Sequence, residues 1–311
     1  MSHLPGNARA MADRNRRYLL IARVGGQSLH AEWLAPRAAR GFDVLLSSYD
    51  RAVADPQQPG VTLEFRPGSK VAGYAALLAA HADLIAGYDY VALFDDDLSI
   101  DAAELTRMFE IADAYHLKIA QPALSHDSHF TYAALLANSA FRLRYVNYIE
   151  MMCPVFRSDI LAAVRPLYAM GYESGIDLIW CNLVATTDRD FAVIDDVVVR
   201  HTRTVGTSKA ANGFTGGKRY EDDIHAILAR FGLPWLSCVP FAGVRRDGTV
   251  THSRWAFGLN ALRLAAVVPK ATGAKLRARS VAVYWKHLVF RKPRNIPVTF
   301  PAEKGTASHG V

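Results

Sequence analysis

The sequence predicts an α/β fold, with a mostly parallel central sheet flanked by helices and a basic, largely helical region after it. Three observations predict this. Apolar strand-like runs alternate with segments of helical spacing from residue 17 to about residue 232, the pattern of a sheet built by right-handed crossovers. One of those runs, VALF at 91–94, ends abruptly in three carboxylates, Asp95, Asp96 and Asp97. From Arg245 onward the balance of charge turns strongly basic.

The elements follow in order. RRYLLIARVGG reads as a buried strand closing in a glycine turn, and AEWLAPRAAR as a brief helix. FDVLLSS and VTLEFR are two further strands. SKVAGYAALLAAHADLIAG has the apolar spacing of a helix, with Ser69 placed as its N-cap. YDYVALF is the strand that delivers the carboxylates, DAAELTRMFEIADAYH a helix, and LKIAQPAL and YVNYIEMMCPVF two more strands. RSDILAAVRPLYAMG is helical, FAVIDDVVVRH a strand pair, and YEDDIHAILARFG a closing helix. The expected division is a disordered tail at 1–16, a catalytic domain at 17–232, a basic helical region at 233–295 and a disordered tail at 296–311.

Composition narrows the class. With 51% hydrophobic and 21% charged residues in 311, the chain can bury a full core and is not a disordered one. Cys153, Cys181 and Cys238 form no CxxC pair, so neither a disulfide framework nor a zinc-thiolate site is signalled. No apolar window reaches the eighteen or so residues of a membrane span, and the basic N-terminus lacks a signal-peptide core. A cytoplasmic protein is expected. The net charge of +7 is concentrated from Arg245 to Arg294, where cations alternate with Trp255, Phe257, Tyr284, Trp285 and Phe290. This is a solvated helical face or a surface for peripheral contact with anionic membrane on its inner face. No nucleic-acid motif accompanies it, and nucleic acid is not expected as a partner.

Adjacent carboxylates repel and need a positive partner. In extended backbone Asp95 and Asp97 share a side and Asp96 points away. Hard oxygen ligands at a strand's carboxyl end suit Mg²⁺ or Mn²⁺ and a phosphate-bearing ligand. The alternative is that they cap the helix starting near Ser99 or Asp101.

YDYVALFDDDL, LKIAQPALS, EMMCPVFRSD, GIDLIW and VIDDVVVRHTRTVG, in this order, resemble the family catalogued as domain of unknown function number seven hundred and seven. Its plant members are often labelled as related to lysine-ketoglutarate reductase trans-splicing. The resemblance spans residues 17 to 225, about two thirds of the chain. This sequence departs from the family's usual pattern at Phe94 and Asp96, where tryptophan and often glutamate stand. That family is similar to glycosyltransferases of the GT-A fold. The resemblance therefore implies a nucleotide-diphosphate sugar donor and a divalent metal; it supplies no acceptor, and a glycan or glycolipid is expected from the basic amphipathic C-terminal region.

Carried over by position, the resemblance implies that Asp95 contacts the donor ribose and the metal, with Asp97 and His201 as metal ligands. Asp177, in ESGIDLIW, takes the position of the general base, with Glu173 second. Trp180 falls three residues on, on the same helical face, as an acceptor platform or as core. On the donor side stand Arg23, Gly25 and Gly26 at the end of the first strand, Lys70 at the start of a capped helix, Asp96, and Arg203. Arg203, Lys209, Lys218 and Arg219 flank a glycine-rich loop able to close over a diphosphate. Two other readings stay open: a haloacid-dehalogenase-like phosphatase using Asp95 and Asp97, and a catalytically silent module that binds nucleotide-sugars.

Overall fold

The computed structural model describes residues 17–34, 39–203, 219–235, 237–258, 274–291 and 294–302. Lys209 and Lys218, and the loop they flank, lie outside the described residues, as does the tail at 1–16.

The architecture is mixed α/β around one sheet. Strands β1 (Tyr18–Val24), β2 (Asp43–Ser48), β3 (Val61–Phe65) and β4 (Tyr90–Phe94) run parallel in the spatial order β3-β2-β1-β4. β1 and β4 are buried at every position, which is why their sequences, apart from Arg23 near the end of β1, are apolar runs rather than alternating ones. Beyond β4 the sheet continues through β8 (Val155–Arg157), β6 (Ile119–Leu124), β9 (Phe191–His201) and β7 (Phe141–Val146). There β6 pairs parallel to β9, while β8 and β7 pair antiparallel with their neighbours. The parallel character expected from the sequence thus belongs to the β1–β4 block and the β6–β9 pair.

Helix α1 (Lys70–Ala80) starts where Ser69 Oγ accepts from Ala72 N, and a short helix α2 (Ala82–Ile85) leads into β4. Helix α3 (Ala102–Ala114) is capped by Asp101, whose carboxylate accepts from Glu104 N at 2.8 Å. This cap uses Asp101 and leaves the triplet before it free for other work. Helices α4 (Ser158–Val164), α5 (Asp177–Val184) and α6 (Tyr220–Phe231) complete the layers.

Three expectations differ from the structure. YVNYIEMMCPVF is not one strand: the chain leaves β7 at Val146, crosses a buried turn and re-enters as β8. FAVIDDVVVRH is one strand, irregular where its pairing with β6 slips between Pro122 and Ala123. The region after residue 232 is not wholly helical. β10 (Pro240–Arg245) and β11 (Val250–Thr251) extend the sheet from β7 before a C-terminal helix, Ala274–Phe290. At Gly243 in β10 an added Cβ would lie 2.7 Å from the Phe141 ring, so only glycine permits this close strand packing.

The segment 294–302, whose residues from 296 were expected to begin a disordered tail, lies against the domain. Asn295 Nδ2 donates to Asn147 O at 2.8 Å, Ile296 N to Asn182 Oδ1 at 2.8 Å and Val298 N to Asn182 O at 3.2 Å. No helix among the described residues is long and apolar enough to cross a membrane.

Candidate active site

A cavity of about 480 Å³ opens beyond the carboxyl end of β4 and the end of β9, where ligands bind in open α/β sheets. It is lined by Lys70, Asp95, Asp97 and His201, and by Glu150, Asp177, Tyr132, Tyr148, Tyr220 and Trp235. Residues far apart in sequence meet here because of one short pairing. Immediately after the triplet, β5 (Leu98–Ser99) pairs antiparallel with the end of β9, setting Leu98 opposite His201. Thr202 donates to the Asp97 carbonyl through both its amide, at 3.0 Å, and its hydroxyl, at 2.9 Å.

Alternation orients the triplet as its spacing implies: Asp95 and Asp97 line the cavity and Asp96 turns away from it. Asp96 is fully engaged. Its carboxylate accepts from Tyr49 Oη at 2.7 Å, Gly25 N at 3.2 Å and Arg203 Nη1 at 3.1 Å. Arg203 also donates to Gln27 O. Gly25 is glycine because Tyr49 leaves no room for a side chain: an added Cβ would stand 2.3 Å from its hydroxyl oxygen.

Asp95 is held on both sides by backbone and cation. Its amide donates to Met152 O at 2.9 Å, and its carboxylate oxygens lie 2.6 and 2.7 Å from Lys70 Nζ. Burial raises its pKa to about 6; Lys70 opposes that and the neighbouring Asp97 charge adds to it. Asp97 is different. Its Oδ2 lies 3.2 Å from His201 Nε2, while its Oδ1 is buried with no partner. Burial acts to raise the Asp97 pKa, but the His201 hydrogen bond and charge outweigh it and hold the carboxyl below its ordinary value. His201 Nδ1 lies 2.8 Å from His129 O, so Nδ1 carries the proton and Nε2 faces the carboxylate. An imidazole lone pair against a carboxylate requires a proton or a cation between them.

Among the described residues no group of three or more His, Cys, Asp or Glu side chains is disposed to hold a metal ion. The set Asp95, Asp97 and His201 expected from the sequence is therefore not assembled, because Lys70 neutralises Asp95. The chemistry of the Asp97–His201 pair fits a divalent cation, through an unpartnered carboxylate oxygen and an imidazole whose orientation the His129 carbonyl fixes.

Further acids line the cavity. Asp177 begins α5, and its Oδ2 accepts from Tyr148 Oη at 2.5 Å and from Met151 N at 3.2 Å. Burial raises its pKa, and those two donors only partly offset the shift. Glu173 does not present a free carboxylate: its oxygens accept from Ser69 Oγ at 2.5 Å and Val71 N at 3.2 Å, closing the start of α1. Trp180 is fully buried, donates to Ile149 O at 3.1 Å and packs edge-on against Phe156, so it is core and cannot stack on a ligand. Arg23 is likewise enclosed. Its guanidinium donates to Ser47 Oγ at 3.0 Å, Arg66 O at 2.7 Å and Gly68 O at 2.8 Å, pinning the loop before α1. Gly26 N donates to Asp50 Oδ2 at 2.9 Å, and Arg219 pairs with Asp222 at 3.1 Å outside the cavity.

Sequence reasoning missed Glu150 and the aromatic lining of the cavity. Glu150 is buried in the turn between β7 and β8, and its amide donates to Gln121 Oε1 at 2.7 Å. Its Oε2 has no partner. A lone acid inside the apolar run YVNYIEMMCPVF was the available signal, since acids are almost never buried without cause. Trp235 is half-exposed, and its Nε1 lies 3.3 Å from Tyr132 Oη. It, rather than Trp180, is the aromatic side chain a ligand in the cavity can meet.

Residues 1–144 match the sequence model of a family described as "Protein of unknown function (DUF707)". This is the family that the motifs resemble, and the match covers a little under half of the chain, including the triplet and Lys70. No curated protein matches the chain. Among solved structures it is similar to S. aureus TarS 1–349, with 12% identity and a TM-score of 0.43 over 67% of this chain and 68% of that one. The complex of TarS 1–349 with UDP-GlcNAc gives 11% identity and 0.40 over 88% and 73%. GalNAc-T7 with UDP, GalNAc and Mn²⁺ gives 4% and 0.46, and the chain spans 48% of that protein.

Proposed function

We propose that the chain is a glycosyltransferase that moves a sugar from a nucleotide-diphosphate donor to a hydroxyl acceptor. The observation that carries this reading is the cavity itself. A cation-handling set, Lys70, Asp97 and His201, shares a cavity of about 480 Å³ with a second set of buried acids and aromatic rings, of which Trp235 is half-exposed. The first suits a diphosphate; the second suits a polyhydroxylated ring and the proton it loses. Asp97 and His201 would hold a divalent cation, which when bound supplies Lewis-acid stabilisation to a departing diphosphate. Lys70, freed from Asp95, is the nearest side chain able to meet phosphate oxygens. Arg203 and the Asp96 network order the turn at Gly25 beside it.

The test is a thermal-shift screen of nucleotide-sugars with and without Mn²⁺, followed by an assay for released nucleoside diphosphate. The reading expects one nucleotide class to raise the melting temperature, and Asp97→Ala to remove the metal-dependent part of that shift. A trapped aspartyl-phosphate at Asp95 would replace this reading with the phosphatase one. Donor binding with no turnover across a broad acceptor panel would leave a silent binding module.

The acceptor's location is part of the same proposal. Trp255 and Phe290 are 79% and 80% exposed, and Arg254 Nη1 donates to Val289 O at 2.8 Å, joining the two neighbourhoods. No Asp or Glu occurs from residue 248 to 302. Exposed aromatic rings among unopposed cations suit an anionic lipid surface, from which a glycolipid acceptor would be drawn. Equal sedimentation with neutral and anionic vesicles would remove this part and leave the transfer reading standing.

A further inference from the structure

We propose that Glu150, rather than Asp177, is the catalytic base that takes the proton from the acceptor; this rests on the glycosyltransfer reading of the cavity. Four observations carry it. Glu150 lines the cavity, yet its Oε2 is buried with no hydrogen-bond partner, an open acceptor site that nothing in the fold fills. Its position is fixed independently of any ligand, because its amide is held by Gln121 Oε1 at 2.7 Å. Asp177 is already committed, with Oδ2 receiving both Tyr148 Oη and Met151 N. A carboxylate oxygen that already receives two donors is less available to take a proton than a desolvated oxygen with none. Glu173 is engaged at the start of α1 and does not compete.

The surroundings of Glu150 favour the role. Burial, together with the Asp177 charge, pushes its pKa up to about 7, against a hydrogen bond from Thr131 and the charges of His201 and Lys70. Tyr132 and Tyr148 also feel its charge, as do the buried thiols of Cys153 and Cys238. Asp177 is then a positioning residue: it orders the turn at Met151 and keeps Glu150 basic by like-charge proximity. In the step itself, the acceptor O–H bond breaks and its proton passes to Glu150 Oε2. The oxygen bonds to the anomeric carbon, and the electron pair of the carbon–phosphate-oxygen bond leaves with the nucleoside diphosphate.

The experiment uses the full chain with the nucleotide-sugar that gives the largest thermal shift, and water as the acceptor. Glu150→Gln should keep that shift and lose about 10²–10⁴-fold in release of nucleoside diphosphate. Azide, an anion with no proton to surrender, should restore turnover as glycosyl azide. The acid limb of the wild-type rate profile should lie near 7 and move to lower pH in Asp177→Asn, which keeps substantial turnover. Glu150→Gln turning over within threefold of wild type overturns the assignment, as does loss of turnover that azide does not restore. If the wild type itself releases no nucleoside diphosphate from any donor, the glycosyltransfer reading has failed instead.

Discussion

Two buried acidic centres in this protein are built in opposite ways. Under β7 and β9, Arg144 and Asp195 are wholly enclosed, and their polar atoms are closed on one another. Arg144 Nε lies 2.7 Å from Asp195 Oδ2, and its Nη atoms donate to Ala134 O, Leu136 O and Asp195 Oδ1 at 2.7–2.8 Å. Asn138 N supplies the last donor to Asp195 at 2.8 Å. In the cavity, by contrast, Glu150 and Asp97 each keep one buried oxygen without a partner. Closed networks define a structure, while open ones store an unmet interaction for something that arrives later. The difference sets these two centres apart without reference to any relative.

Mutation tests that separation, with the closed centre giving the largest effect. Arg144→Ala strands the Asp195 carboxylate and should cost about 3–5 kcal/mol, read from urea unfolding. A loss under 1 kcal/mol would mean the pair is no more structural than the cavity acids.

Next in size is a pH effect from the open centre. Glu150 has a folded pKa of about 7 against an ordinary 4.5, so the folded state binds the proton more tightly than the unfolded one. Its destabilising contribution is absent below pH 4.5, grows as pH rises to 7, and is fully present above; the total is on the order of 3 kcal/mol. Glu150→Gln should flatten that part of the stability profile and leave the variant no less stable than wild type at pH 8. A variant destabilised there would make Glu150 part of the scaffold.

Smallest is the α1 cap, an intermediate case in which a cavity-lining acid is closed. Ser69→Ala removes both the cap and the Glu173 contact and should cost about 1 kcal/mol in thermal unfolding, with donor-induced shifts retained. Loss of those shifts with stability unchanged would move Glu173 to the open group.

Much of this was legible in the sequence. β1, Arg23 apart, and β4 are apolar because both faces are covered, and the Ser69 cap and the Asp95/Asp97 alternation follow from local geometry. The limits have physical causes as well. Helical spacing put Trp180 beside Asp177, but α5 is buried from Asp177 to Asn182, so a shared face gave no exposure. The turn between β7 and β8 is as apolar as the strands around it, which concealed both the chain reversal and Glu150. Arg23 looked available because sequence does not show that the loop before α1 folds its carbonyls over the guanidinium. β10 was hidden by its basic surroundings, although Gly243 marked a close approach.

The strap at 294–302 has a practical consequence. By gripping Asn182, on the same helix as Asp177, it ties residues 294–302 to the helix that carries one of the cavity acids. Residues trimmed there would loosen that grip, so any shortened form of the chain has to keep 294–302.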